Sequence, residues 1–180
     1  MVNEDDSGLV RRTLAGDAKA FEALVERYYR VLFGVAFRMV NDREDAEDIT
    51  QTAFLKAYQK LSTFDPAYKF FSWLYRILLN EALNVLHRRR AMVPLDVDLV
   101  SEARNPEEEF EVREQGERVQ RALMQLTEPQ REVLVLRHFA ALSYRDIATV
   151  IGISEQTVKS RLFAARQALC GVLVHRSHAS

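Results

Sequence analysis

Little in this 180-residue chain interrupts a helix: it holds only six glycines and four prolines. Its one cysteine, Cys170, excludes an internal disulfide framework and fits a reducing compartment. No apolar run nears the eighteen or so residues of a membrane span, which predicts no membrane insertion. The opening stretch, MVNEDDSGLVRR, is acidic where a signal peptide would be apolar, so the expected location is cytoplasmic. Enzymatic signatures are also missing. There is no H-E-x-x-H, P-loop, G-x-S-x-G or metal-spaced Cys/His cluster. His87, His138, His175 and His178 lie far apart or in the tail, and the carboxylates of DREDAED splay around several faces of a helix. The expectation is therefore no catalytic centre, no metal and no cofactor.

What is present is charge, and it is segregated. The formal net charge of -1 conceals two basic lobes and an acidic connector. Residues 56–90 carry seven Lys/Arg against two acids, residues 94–117 nine acids against two arginines, and residues from 130 onward seven Lys/Arg against three acids. Two basic lobes suit two contacts with a polyanion, although a charge run is more often simply a solvated face.

Helical periodicity runs through almost the whole chain. Helices are expected over about 6–14, 19–39, 43–61 and 69–90, with Gly16-Asp17 breaking the first and Asn41 or Asp42 capping the third. The stretch STFDPAY reads as a loop because Asp-Pro resists helix. Over 91–105 the pattern lapses into an exposed, extended linker, and helix resumes near Pro106 and continues to about 126. Thr127 with Gln130 makes a capping box opening the next helix. The fold class is all-α: two small helical domains, 1–92 and 111–180, joined by an acidic linker over 93–110.

The stretch LSYRDIATVIGISEQTVKSRLFAARQAL has the punctuation of a helix-turn-helix. Ser143 with Asp146 caps the first helix, Gly152 permits the left-handed turn that stops it, and Ser154 caps the second. At 100° per residue Val158, Leu162, Ala165 and Leu169 form the buried stripe, and Ile147, Ala148 and Ile151 face inward from the first helix. The opposite side carries Gln156, Lys159, Ser160, Phe163 and Gln167, with Arg161 and Arg166 on the flanks. That layout suits a major-groove reader, with polar groups for base edges and cations for phosphates. A structural hairpin with a merely solvated outer face is the plainer alternative.

Within 69–90, Phe70, Leu74, Ile77, Leu78 and Val85 are the expected core stripe. Lys69, Trp73, Arg76, Asn80, Leu83 and His87 share another face, beside the loop that holds Phe64. An indole, an amide and cations in one row suit stacking and hydrogen bonding to single-stranded bases, and HRRR at 87–90 suits phosphates. A lone tryptophan packing under its neighbour is the competing reading.

DAEDITQTAFLKAYQKL, then FFSWLYRILLNEALNVLHRRR, an acidic linker and LTEPQREVLVLRHFAALSYRDIATVIGISEQTVKSRLFAARQAL together resemble the extracytoplasmic-function sigma factors of bacterial RNA polymerase. The resemblance covers about residues 9–169, with both halves in order. It implies sigma domains two and four without the middle domain of larger sigma factors. It implies docking on the polymerase clamp through Asp48, Gln51, Thr52 and Leu55, where the family commonly has glutamate in place of Thr52. It further implies contacts to the promoter's -10 region, duplex and single-stranded, from Phe64, Lys69, Trp73, Arg76, Asn80, His87, Arg88 and Arg89. The -35 region would be read by Gln156, Thr157, Lys159, Ser160, Arg161, Phe163 and Arg166. An anti-sigma factor is expected as a partner by resemblance alone. The alternative from another class is a helix-turn-helix regulator that binds duplex DNA without being a polymerase subunit.

Overall fold

The computed structural model describes residues 5–92 and 110–177. Every regular element among them is helical: α1 (Asp6–Leu14), α2 (Ala18–Val40), α3 (Arg43–Gln59), a 3-10 turn (Leu61–Thr63), α4 (Phe70–Met92), α5 (Phe110–Met124), α6 (Glu128–His138), α7 (Tyr144–Ile151) and α8 (Glu155–Ser177). The expected acidic linker and a helix start at Pro106 lie outside the described residues.

Local chemistry sets the boundaries. Asp5 and Asp42 accept the backbone N–H groups of Gly8 and Asp45, capping α1 and α3 with the carboxylates that helix N-termini favour. Asn41, at φ 56°, ends α2 in the left-handed conformation asparagine tolerates, so the two candidates for capping α3 divide the work. The Gln130 side chain reaches back to the Thr127 N–H at the start of α6. Ser143 accepts from the Asp146 N–H and donates to its carboxylate, while Gly152, at φ 72°, stops α7.

Two groups of helices result. α1–α4 enclose Leu24, Leu32, Met39, Leu74 and Leu78, all essentially inaccessible. α5–α8 enclose Leu123, Val133, Leu136, Ile147 and Leu162. In α4 the buried face is rotated from the expected stripe. Tyr75, Leu79 and Ala82 join Phe70, Leu74 and Leu78 inside, whereas Ile77 and Val85 are half-buried. The reason is that α4 packs against both α2 and α3 and so needs a wider apolar arc than one stripe provides.

The two groups also touch each other: α4 meets α7, and α2 meets α5 and α6. The pin between them is Arg131, only 6% exposed. Its guanidinium donates to the Met39 carbonyl at the end of α2 (2.6 Å), and to Leu123, Met124 and Leu126 at the end of α5 (3.0, 3.2 and 3.2 Å). One planar fork thus satisfies carbonyls that helix ends leave without an intrahelical partner. Beside it the Arg38 guanidinium lies 3.9 Å from the Phe139 ring centroid, a cation–π contact across the same seam.

Candidate nucleic-acid interface

Three surfaces carry the residues singled out by sequence. The first is α8. Val158, Leu162 and Ala165 are fully buried and Leu169 is half-buried, so the opposite side of the helix is turned outward. Gln156, Lys159, Ser160, Phe163, Arg166 and Gln167 are all exposed there, Phe163 at 65%. A phenylalanine that open to water has no packing role of its own and offers an apolar contact for a thymine methyl or a sugar. Two of the candidates are partly engaged. Thr157 shares a hydrogen bond with Ser154 at the cap (2.8 Å), and the Ser160 hydroxyl donates to the Gln156 carbonyl (3.1 Å). Arg161 sits half-buried where its charge acts on Glu132. Burial pushes the Glu132 carboxyl above its ordinary range, and Arg161 opposes that. Lys159, Phe163 and Arg166 are therefore the freest to meet DNA.

The second surface is the outward face of α4 and the loop before it. Lys69, Arg76, Asn80, His87 and Arg88 are exposed and Trp73 is half-buried, so the helix does align these groups. Phe64 is buried. Its ring centroid lies 5.7 Å from Phe70 and 5.5 Å from Trp73, a tilted aromatic cluster that anchors the loop. The cluster forms one side of a cavity of about 270 Å³ lined by Thr63, Phe64, Asp65, Tyr68, Trp73 and Arg76, among others. Aromatic walls with hydroxyl, carboxylate and guanidinium groups at the rim can hold one planar heteroaromatic ring by stacking and edge hydrogen bonds. Arg89 is placed otherwise. It donates to the Val40 carbonyl (3.1 Å) and pairs with Asp42 and Asp45, tying α4 to the α2–α3 junction.

The third surface is α3. Asp48, Gln51 and Leu55 are exposed and Thr52 is half-buried, all on one side. Leu55 is 57% exposed, and Tyr58, one turn on and 51% exposed, extends the patch in a way the sequence reading did not single out. Leu55 and Tyr58 thus form a small exposed apolar patch with the Asp48 carboxylate at one end.

Comparison with known proteins decides the family. Residues 24–92 match Sigma-70 region 2, and residues 116–169 match Sigma-70, region 4. The RNA polymerase sigma-H factor of Pseudomonas aeruginosa is 38% identical over 182 residues, spanning 94% of each chain. The chain belongs to the extracytoplasmic-function sigma factors. The ECF RNA polymerase sigma-E factor of Escherichia coli strain K12 is 36% identical over 176 residues, spanning 91% of this sigma factor and 92% of the relative. Among solved structures, CnrH in complex with the cytosolic domain of CnrY superposes with a TM-score of 0.77 at 29% identity, covering 96% of this chain and 99% of that one. The sigma factor RpoE of Bartonella quintana, solved with the anti-sigma factor NepR, gives 0.69 at 25% identity over 87% and 98%. This sigma factor is not an enzyme; the polymerase it serves performs the catalysis. Among the described residues no helix is long and apolar enough to cross a membrane.

Proposed function

We propose a division of labour among the three surfaces of this sigma factor. It confers promoter recognition on core RNA polymerase. Domain two, over 1–92, docks on the polymerase clamp through Asp48, Gln51, Thr52 and Leu55 and opens the -10 region through α4 and its loop. Domain four, over 111–180, reads the -35 region through the outward face of α8, and the segment 93–110 tethers the two. The cytoplasm is where it acts. One of its structural neighbours was solved with an anti-sigma factor bound, which supports such a factor among its partners. A duplex-DNA regulator independent of polymerase is disfavoured, because regions two and four are both matched, in order.

The observation that carries the reading is the aromatic cavity beside an exposed row of Lys69, Arg76 and Asn80 on one helix. A duplex offers no base to such a cavity until one is unstacked, at a cost of a few kcal/mol that captured-base contacts must offset. Asn80, fully outside the core, supplies two amide donors and a carbonyl acceptor for the edge of that base. Asn80→Ala holoenzyme should therefore bind duplex promoter nearly normally and transcribe poorly, and a template carrying a premelted bubble should restore most transcription. Loss of closed-complex binding, or no rescue by the bubble, would assign Asn80 a structural role instead.

A further inference from the structure

The cavity beside α4 is held in place by groups that do not line it. Its Arg76 rim is fixed from α7, where the guanidinium donates to the Val150 carbonyl (3.2 Å). Its aromatic wall is backed by Tyr28 of α2. The Tyr28 ring centroid lies 6.0 Å from that of Phe70, which lies 5.9 Å from Trp73 and 5.7 Å from Phe64. Four rings thus form one continuous cluster, of which Phe64 and Trp73 line the cavity. A phenylalanine at 28 would complete the same cluster; the hydroxyl adds a tie to α1. It donates to the Asp6 carboxylate (2.5 Å), and Arg27 beside it donates to the other carboxylate oxygen (2.5 Å). Burial, and then the Asp6 carboxylate, push the Tyr28 pKa up, so the hydroxyl stays a donor throughout the physiological range.

α1 reaches the cavity by a second route, packing against the 3-10 turn at 61–63. In that turn Leu61 is buried and Thr63 lines the cavity, and Phe64 follows with its N–H bonded to the Leu61 carbonyl (3.1 Å). One nine-residue helix therefore bears on the loop at both ends. It holds the entry through the turn and the exit through Tyr28 and Phe70, the first residue of α4. A helix so short is marginal by itself, so its place depends on buried Leu9 and Val10 and on the Asp6 clasp. We infer that Asp6 and Tyr28 are positioning residues for promoter opening. Through them α1 sets the spacing and tilt of the aromatic wall that receives the unstacked base, a role that rests on the base-capture reading of α4 above.

A positional role has its own signature. A base stacked on an aromatic ring gains about tenfold or more in affinity, and a wall free to tilt forfeits that gain. Duplex DNA puts no base in the cavity, so closed-complex binding loses nothing. Tyr28→Phe keeps the ring and cuts the tie, and Asp6→Ala cuts it from the other side. Asp6→Asn keeps an oxygen to accept the hydroxyl and serves as the conservative rescue. Val35→Ala, on the buried side of the same helix, lowers stability without removing a member of the ring cluster. Each chain is assembled with core polymerase and tested on a duplex promoter selected from a random library by the unmodified holoenzyme. The same template with a premelted -10 region is the second substrate. Trp73 is the chain's single tryptophan, so acrylamide quenching of its emission in the free protein reads the wall directly.

Tyr28→Phe and Asp6→Ala should bind the duplex promoter as the parent does and open it about tenfold more slowly, followed by permanganate reactivity of unpaired thymines. Both should recover on the premelted template, and Trp73 should be more readily quenched in both. Asp6→Asn should stay close to the parent in every readout. Val35→Ala should have a lower urea midpoint yet open the promoter at the parent's rate, with quenching unchanged. Parental opening rates in Tyr28→Phe and Asp6→Ala, while Asn80→Ala is slow, overturn the positioning role and leave base capture standing. Equal slowing by Val35→Ala reduces the effect to stability and overturns the role as well. Parental opening by Asn80→Ala too removes base capture, and the positioning role with it.

Discussion

Truncating Arg131 to alanine removes a side chain that satisfies helix ends from both domains at once. The loss can be worked from its contacts. Four carbonyls lose a charged donor, and each such bond contributes about 1.5–3 kcal/mol net, a gross loss of roughly 6–12 kcal/mol. Against this stands the desolvation of a guanidinium that is 6% exposed, several kcal/mol that the variant no longer bears. Burial already holds this guanidinium's pKa below its ordinary value, the mark of that cost. The balance is a destabilisation of about 3–5 kcal/mol, because the four carbonyls are left without their donor. That is a large share of the roughly 5–15 kcal/mol typical of a folded protein. With a urea slope near 2 kcal/mol per M, the midpoint followed by far-ultraviolet circular dichroism should fall by about 1.5–2.5 M. Arg131→Lys should recover less than half of it, since an ammonium lacks the planar fork that reaches four acceptors. A midpoint shift below about 0.5 M for the alanine variant would refute the assignment of Arg131 as the pin.

Asp48→Arg should abolish association with core polymerase while leaving the free chain folded, because Asp48 is solvent-exposed; retained affinity with normal transcription would remove α3 from the docking surface. Lys159→Ala should cost about 1–3 kcal/mol of discrimination at the upstream promoter element, seen as lower transcription from -35-dependent promoters with polymerase binding unchanged. Glu132 is an acid whose folded pKa is raised above the ordinary carboxylate value by burial, with Arg161 opposing, so its contribution to stability is complete at low pH and is lost as pH rises through the folded value. Glu132→Gln should accordingly be more stable than the parent at neutral pH and lose that advantage below about pH 4.5, a crossover that denaturation at several pH values would show.

The helix-turn-helix was readable because its determinants are local. Ser143, Asp146 and Gly152 act within one turn of themselves, and the stripe of Val158, Leu162 and Ala165 repeats at the period of a single helix. The rows on α3 and α4 were readable for the same reason. Phe64 was placed in the right loop, yet its burial depends on two rings of the next helix, which the loop sequence does not announce. Arg76 and Arg131 were beyond sequence reasoning for a further cause. Their partners are backbone carbonyls, a group every residue carries, so no residue type marks the acceptor. In the sequence Arg131 is one more cation in a basic lobe, and only packing against α2 and α5 makes it interior.

The order of synthesis gives the Arg131 pin a temporal meaning. Met39 and its donor are separated by 92 residues. At about 5–20 residues per second on the ribosome, the carbonyl waits roughly 5–18 s for its guanidinium. Every contact inside α1–α4 is available well before α6 and α7 exist, so a nascent chain carries a completed domain two with α4 uncovered. The seam between the domains thus forms only after domain two is complete, and a newly made molecule passes through its uncovered form before its closed one.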